Sequence, residues 1–440
     1  MPGSRDPRLA GRVAFNYPNF VSYTLARFFI VVSLEMLSVA VGWQVYDITK
    51  RPIDLGYVGL AQFAPGFVLF LFAGHAADLF DRRKLLMACY SGFAICSALL
   101  LAISQFSPNS VHAIYVVLVL IGIFRSFNFP VSRAILPQLV PEEHFSNAVA
   151  WNASTFQIAT IAGPAAGGLA YALFRGPEAV YLLAVMVSVG STILTLRIRP
   201  LASSAQKKVA VREPISPRTV LAGFRFIWMK KLILGSISLD MFAVLLGGAV
   251  ALLPVYARTI LHTGPWGLGL LRSAPGVGAA VTAIVVAHRP IQRRAGLAML
   301  LAVGAFGVLT IIFGISHSLT LSLIVLFMTG AADMVSVIIR AMLVQIATPD
   351  EMRGRVNAVD FLFIGVSNEL GEFESGLTAQ WFGTVPAVVL GGVGTLLVIA
   401  IWAWIFPELR KADRLTVAEL MPEQKSESQP QGALGTGEHR

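Results

Sequence analysis

Ser33-Leu34-Glu35-Met36 returns later in the same chain as Ser238-Leu239-Asp240-Met241, with Val39 answered by Val244 and Gly42 by Gly247. Gly59-Leu60 and Ala64-Pro65-Gly66 return as Gly269-Leu270 and Ala274-Pro275-Gly276. Arg133-Ala134 returns as Arg340-Ala341, and Gly163 and Gly168 return as Gly371 and Gly376. Each separation is a little over two hundred residues, so a half-length unit is duplicated in parallel. Both copies lie in long apolar runs. Two parallel halves in a membrane, meeting at a central cavity, is an architecture of secondary transporters.

Composition agrees. Hydrophobic residues make up 56% of the 440 and charged residues 13%, with a mean hydropathy of +0.72. A soluble globule carries about 25% charge, and a spanning helix needs about 20 apolar residues. Segments of that kind cover 19–46, 54–79, 84–105, 110–136, 145–174 and 177–197 in the first copy. In the second they cover 232–260, 265–287, 295–316, 319–343, 355–383 and 384–406. The runs are continuous rather than alternating with period two, which excludes a membrane β-barrel. The expected fold is an all-α polytopic membrane protein: about twelve transmembrane helices in two parallel-repeat six-helix bundles. The expected divisions are an N-terminal tail (1–18), a first bundle (19–198), a linker (199–231), a second bundle (232–406) and a disordered tail (407–440).

Basic residues set the expected orientation. Arg5, Arg8, Arg12, Arg82, Arg83, Lys84, Arg289, Arg293, Arg294, Arg353 and Arg355 fall on one side, with the linker's Lys207, Lys208, Arg212, Arg218, Lys230 and Lys231. The other side offers Lys50, Arg51, Arg175 and Arg258. Both termini are therefore expected in the cytoplasm. The net charge of +10 reflects this bias and attraction to anionic membrane lipids, without nucleic acid. The first apolar run is too long for a cleavable signal and is expected to remain as the first span. Cys89 and Cys96 share one apolar segment and read as small core residues, with no disulfide or metal site.

In the linker, Leu221, Phe224 and Trp228 share one helical face. They predict either a short helix on the membrane surface or an extension of span seven.

Gly74-His75-Ala76-Ala77-Asp78-Leu79-Phe80-Asp81-Arg82-Arg83-Lys84, between spans two and three, resembles the loop signature of the major facilitator superfamily, with Asp81 where that pattern has glycine. A degenerate second copy falls around Gln292-Arg293-Arg294. Gly163-Pro164-Ala165-Ala166-Gly167-Gly168 in span five resembles the superfamily's antiporter motif, and Arg125 matches the motif arginine of span four. Arg133 through Gln138, and Arg353-Gly354-Arg355-Val356-Asn357, are similar to the branch that holds enterobactin exporters and macrolide-efflux-like proteins. The resemblance covers about residues 18–406. It implies a bacterial inner-membrane protein working by alternating access, with Asp78 and Arg82 gating and locking the outward-open state. The plainer reading of that loop is ordinary positive-inside charge. Gly163, Gly167 and Gly168 permit close helix approach and Pro164 bends the helix, with simple packing as the alternative.

A charge in mid-membrane costs about 2.5–3.5 kcal/mol on insertion scales, so it faces a cavity or a partner. Arg27 and Glu35 (span one), Arg125 (four), Asp240 (seven), Arg272 (eight), Asp333 (ten), and Glu369, Glu372 and Glu374 (eleven) are such charges. All but Glu374 are the expected proton-coupling or substrate-binding residues. Glu35 and Asp240 occupy equivalent places in the repeat, and the resemblance places spans one and seven on the central cavity. Two carboxylates across one cavity can share protons. Glu369 and Glu372 share a helix face, and Glu374 points elsewhere. The alternative for each acid is a structural ion pair with Arg27, Arg125 or Arg272. Phe28, Phe29, Trp43, Phe124, Phe127, Phe129, Phe361 and Phe363 are candidates to line a cavity, or to pack against lipid.

Enzymatic and ATP-binding motifs are absent from the sequence, and no cofactor or metal is expected. The expected function is proton-coupled export of a small amphipathic molecule, such as a siderophore or drug-like compound, by a monomer. The alternatives are a facilitator or importer on the same fold, or a non-transporting membrane protein such as a lipid scramblase.

Overall fold

The computed structural model describes residues 12–199, 217–291 and 293–413. The expected disordered tail, all but its first few residues, and the polar part of the linker lie outside the described residues.

Twelve long helices carry the fold among the described residues, with no strands. The first half contains α1 (Pro18–Thr49), α2 (Pro52–Leu79), α3 (Arg82–Phe106), α4 (Val111–Ile135), α5 (Phe145–Phe174) and α6 (Pro177–Leu196). The second contains α7 (Lys231–Ile260), α8 (Gly264–His288), α9 (Ala295–Gly314), α10 (Leu319–Ile346), α11 (Asp350–Phe382) and α12 (Thr384–Ile405). Among the described residues, ten of the twelve meet the length and hydropathy expected of a membrane crossing. α11 is as long as the others but carries Glu369, Glu372 and Glu374.

Local chemistry sets the boundaries. Proline opens α1, α2 and α6, where a missing N–H costs nothing. Asp81 caps α3 by accepting from the backbone N–H groups of Arg83 and Lys84. α7 is not continuous. Its regular part ends at Leu246, and after Gly247–Gly248 the chain passes through a 3₁₀ stretch (Ala249–Leu252) and a π turn (Tyr256–Ile260). Its counterpart α1 runs unbroken for 32 residues.

Within the first half, α1 packs on α5 and α6, α2 on α4, and α3 on α4 and α6. In the second, α8 and α9 pack on α10, α9 on α12, and α7 on α11 and α12. The halves meet through α5 against α8 and α2 against α11.

Both joints rest on the same device. A Cβ on Gly168 would lie 2.5 Å from the Pro265 carbonyl oxygen and 2.8 Å from the Gly269 Cα. A Cβ on Gly376 would lie 3.1 Å from the Pro52 carbonyl oxygen and 3.2 Å from the Gly56 Cα. Each joint thus sets a glycine, of α5 or of α11, on the Pro-x-x-x-Gly step that opens α8 or α2 respectively. Both lie at the end away from the termini. A single apolar core there joins Val41, Val45 and Leu55 to Leu252, Tyr256 and Leu268. At the termini-bearing end the second half has separate cores, around Leu239 and Met299 and around Ile227 and Val356.

The linker contains a separate helix, Pro217–Met229, parted from α7 by extended Lys230. It packs on α11, with Gly223 against the Arg355 backbone and Ile227 buried, and exposes Leu221 and Trp228.

Candidate functional site

Charges from four helices converge between the halves. Glu369 and Glu372 sit one turn apart on α11 and face α2 at Gly59. Both place a carboxylate oxygen within 3.5 Å of the point a Gly59 Cβ would occupy. The bare backbone of α2 makes room for them. Arg272 of α8, Arg125 of α4 and Glu35 of α1 act electrostatically on Glu372, and both arginines act on Glu369. Arg125 Nη1 donates to Gln62 Oε1 at 3.1 Å, which fixes its head over α2. Glu35 rests its Cβ against Gly163, so the span-five glycine seats the acid. Three acids and two bases therefore gather between the halves. Charge of both signs there can hold a zwitterion, an anion or protons.

Nearer the termini, the cleft wall becomes basic and aromatic. Arg27 donates to the Asn152 side chain (2.5 Å) and backbone (3.1 Å), with its guanidinium 5.0 Å from the Phe156 ring. Arg133 lies 4.3 Å from the Phe129 ring and 5.6 Å from that of Phe361. Those rings stack at 4.5 Å with 19° between planes, and they belong to different halves. Each cation–π contact contributes about 0.5–2 kcal/mol.

The far end is sealed. Arg258 of α7 pairs with Asp47 of α1, which also pairs with Lys50. The guanidinium lies 5.5 Å from the Trp43 ring.

Asp240 is elsewhere. It is buried inside the second half, 3.5 Å from Arg340, whose other nitrogen holds Asp360 at 2.5 Å. The charges acting on it are Arg340 and Asp360, with Asp333 beside it, and none comes from the first half. Glu35 and Asp240 therefore do not face each other as the repeat suggests. Gly163 packs at Val32 and Glu35, but its counterpart Gly371 packs at Val244 and Leu245. Asp240 thus sits about one helical turn nearer the termini than the true counterpart of Glu35. Asp333 is likewise apart from the central cleft, lining a cavity with Asp240.

The loop motif acts within the first half in its described contacts. Arg82 Nη1 donates to the Ala134 carbonyl at 3.0 Å, at the end of α4. Arg83 donates to the Thr195 and Leu196 carbonyls, at the end of α6. Cations at helix C-termini satisfy orphan carbonyls and complement the dipole. Asp81, the departure from the family pattern, is the cap of α3. Gly74 and Asp78 end α2, and their side chains lie outside the described ones, as does Gln292. In the fifth-span motif, Gly163 and Gly167 pack on α1 and Gly168 on α8, with Pro164 buried between. Glu374 turns to Thr378, which donates to its Oε1 at 2.7 Å.

Sequence reasoning passed over Gln62, Asp360 and the Asp47–Arg258 pair. It also read Arg133 and Arg340 only as repeat markers. The signal was available: Arg133 and Arg340 are charged, repeat-related and inside apolar runs. Gln62, moreover, holds the place before Pro65 that Arg272 holds before Pro275.

The family model described as "Transmembrane secretion effector" matches residues 15–433. The enterobactin exporter EntS of Citrobacter koseri is 29% identical over 406 residues, covering 90% of this chain and 93% of that protein. EntS from an Escherichia coli strain is 28% identical with the same coverage. Among solved structures, the nucleoside transporter NupG superposes with a TM-score of 0.67 at 12% identity, covering 88% of this chain and 99% of its own. A bacterial homologue of ferroportin in an inward-facing state gives 0.66 at 15% identity, covering 89% and 98%. These structural likenesses carry the fold.

Proposed function

The chain belongs to the transmembrane secretion effector family of the major facilitator superfamily, a transporter and not an enzyme, and from this we propose that it is a proton-coupled exporter of a small amphipathic molecule. The molecule would be an aromatic anion of the siderophore type, in keeping with the relatives named for enterobactin export. It works by alternating access in the bacterial inner membrane, with the termini in the cytoplasm.

One observation carries this reading. The halves share a core and two glycine joints at the far end, while charges and aromatic rings from both halves gather between them toward the termini. The arrangement is loaded from the cytoplasm. Arg27 and Arg133, with the Phe129–Phe361 stack, receive a flat anion. Arg125 and Arg272 hold it deeper, where Glu35, Glu369 and Glu372 balance their charge. Opening the Asp47–Arg258 seal and the glycine joints, while the Phe129–Phe361 stack holds the halves together toward the termini, releases it outward. The expected membrane-lipid contacts are those of any polytopic chain, and one chain supplies both halves of the cleft.

Everted membrane vesicles with an imposed proton gradient test this. Enterobactin should accumulate inside and release protons, reported by an acidic-compartment dye. No gradient-driven uptake of enterobactin or simpler catecholates would overturn the siderophore reading. Uptake indifferent to the gradient would favour a facilitator.

A further inference from the structure

We propose that a second set of acids, enclosed within the second half by α7, α10 and α11, is a proton-binding site, and that the coupling proton is held there by Asp333 and Asp240 rather than in the central cleft. The export arm of the test rests on the reading above; the site itself does not.

Asp333, Ser336 and Arg340 recur at helical spacing and present one face of α10 to α7. Arg340 lies between Asp360 and Asp240, at 2.5 and 3.5 Å. Asp240, Asp333 and Ser336 line a cavity of about 10 Å³, together with Ala243, Val244, Val303 and Phe306. That is about the space of one water.

The charges do not balance. α7 contributes Asp240, α10 contributes Asp333 and Arg340, and α11 contributes Asp360. α9 and α12, which also pack here, contain no ionisable residue, and α8, packed on α10, carries Arg272 and His288, neither of which is among the charges acting on Asp240 or Asp333. Three carboxylates thus surround one guanidinium in apolar walls. A proton on the Asp240–Asp333 pair halves the excess, leaving Arg340 and its partners closer to balance, at the least cost in space. A metal ion would need an oxygen shell that this cavity has no room for, and would face the guanidinium.

Unpartnered atoms point the same way. Ser336 is 2% exposed, lines the cavity, and its Oγ has no hydrogen-bond partner; the Arg340 Nε has none either. Buried polar atoms are rarely left so. A protonated carboxyl with a single water would satisfy the hydroxyl.

The site is also placed to act on the cleft. Asp360 is the neighbour of Phe361, which stacks on Phe129 of the other half. Asp240 lies on the regular part of α7, two turns before its break at Gly247–Gly248. A proton taken up from the side of higher proton activity releases Asp240 from Arg340. Its departure to the other side restores the pair.

Infrared difference spectroscopy on the purified full chain in lipid vesicles, stepped in pH, tests the site without any substrate. The wild type should show a protonated-carboxyl band that titrates. Asp333→Asn should abolish it, and Ser336→Ala, which leaves every acid in place, should shift it. Glu369→Gln/Glu372→Gln should leave it. A band lost in the glutamate variant and kept in Asp333→Asn, or no titrating band at all, would overturn the proposal. In vesicles, Asp333→Asn should keep catecholate counterflow and lose at least ten-fold of gradient-driven accumulation. Equal loss of both would also overturn the coupling role. Absence of coupled export by the wild type would instead sink the export reading while the infrared arm still decides the site.

Discussion

Arg258 of α7 sets a guanidinium nitrogen on the Asp47 carboxylate of α1, and so ties the second half to the first at the end away from the termini. Both side chains are about one-third to two-fifths exposed, at 32% and 43%. A pair that wet contributes about 0–1 kcal/mol. Asp47→Asn should therefore widen the far end in at most about a five-fold larger fraction of molecules. Distances between spin labels at Phe174 and His262 would report it. An unchanged distribution would mean that the glycine joints alone hold the seal.

Gly168→Val should act more strongly. Its side chain would meet the α8 backbone at Pro265 and Gly269, which cannot rotate away. Overpacking of this kind costs about 1–3 kcal/mol. Thermal unfolding in detergent should fall, and labelling of the far end should rise. Gly190→Ala is the contrast, because nothing lies within 4 Å of its Cβ position. It should leave the melting temperature unchanged or raise it.

Arg340→Met should be the most destabilising of these changes. It leaves Asp240 and Asp360 buried without their cation, a loss of about 3–5 kcal/mol. Adding Asp240→Asn and Asp360→Asn should recover much of the loss. A single variant that melts like the wild type would refute the ion network as a structural element.

Arg133→Ala should weaken binding of a catecholate by about two- to thirty-fold, the worth of a cation–π contact of about 0.5–2 kcal/mol. Arg133→Lys keeps the charge but loses the planar stack over Phe129 and Phe361, and should fall between. Quenching of intrinsic tryptophan fluorescence measures both.

Asp81→Ala should cost about 1 kcal/mol through loss of the α3 cap. Asp81→Gly, which restores the family residue, should cost only a few tenths. Melting temperatures of the two variants separate capping from a charge effect.

Most of the twelve long helices were legible because an apolar run of helical length can hide from water only by crossing a bilayer or filling a core, and so many runs outnumber any core that could hold them; α11, which is interrupted by glutamates, was placed by its position in the repeat. The duplication was legible because Gly163 and Gly168 return as Gly371 and Gly376, but the Pro-x-x-x-Gly steps that Gly168 and Gly376 meet were not read from the sequence. The partners of the buried charges were not legible. Sequence can place Asp240 on a span, but its neighbours depend on how far α7 slides along α11. α7 also breaks at Gly247–Gly248, which α1 does not, so the two copies differ in shape as well as in register. Glu369, Glu372, Arg125 and Arg272 came together because their helices line the joint. Gln62 was missed because an amide in an apolar run carries no net charge to draw attention.

The break in α7 makes the duplicated chain mechanically unequal. In the first half the stretch from Glu35 to Asp47 is one rod, so a push at one end arrives at the other. In the second half, Asp240 and Arg258 are separated by two glycines, a tight coil and a loose one. Rewinding a few residues can displace Arg258 while Asp240 stays where it is. In the proposed alternating-access cycle, the outer closure would therefore yield first and the bulk rotation follow, a fast local phase ahead of a slow global one.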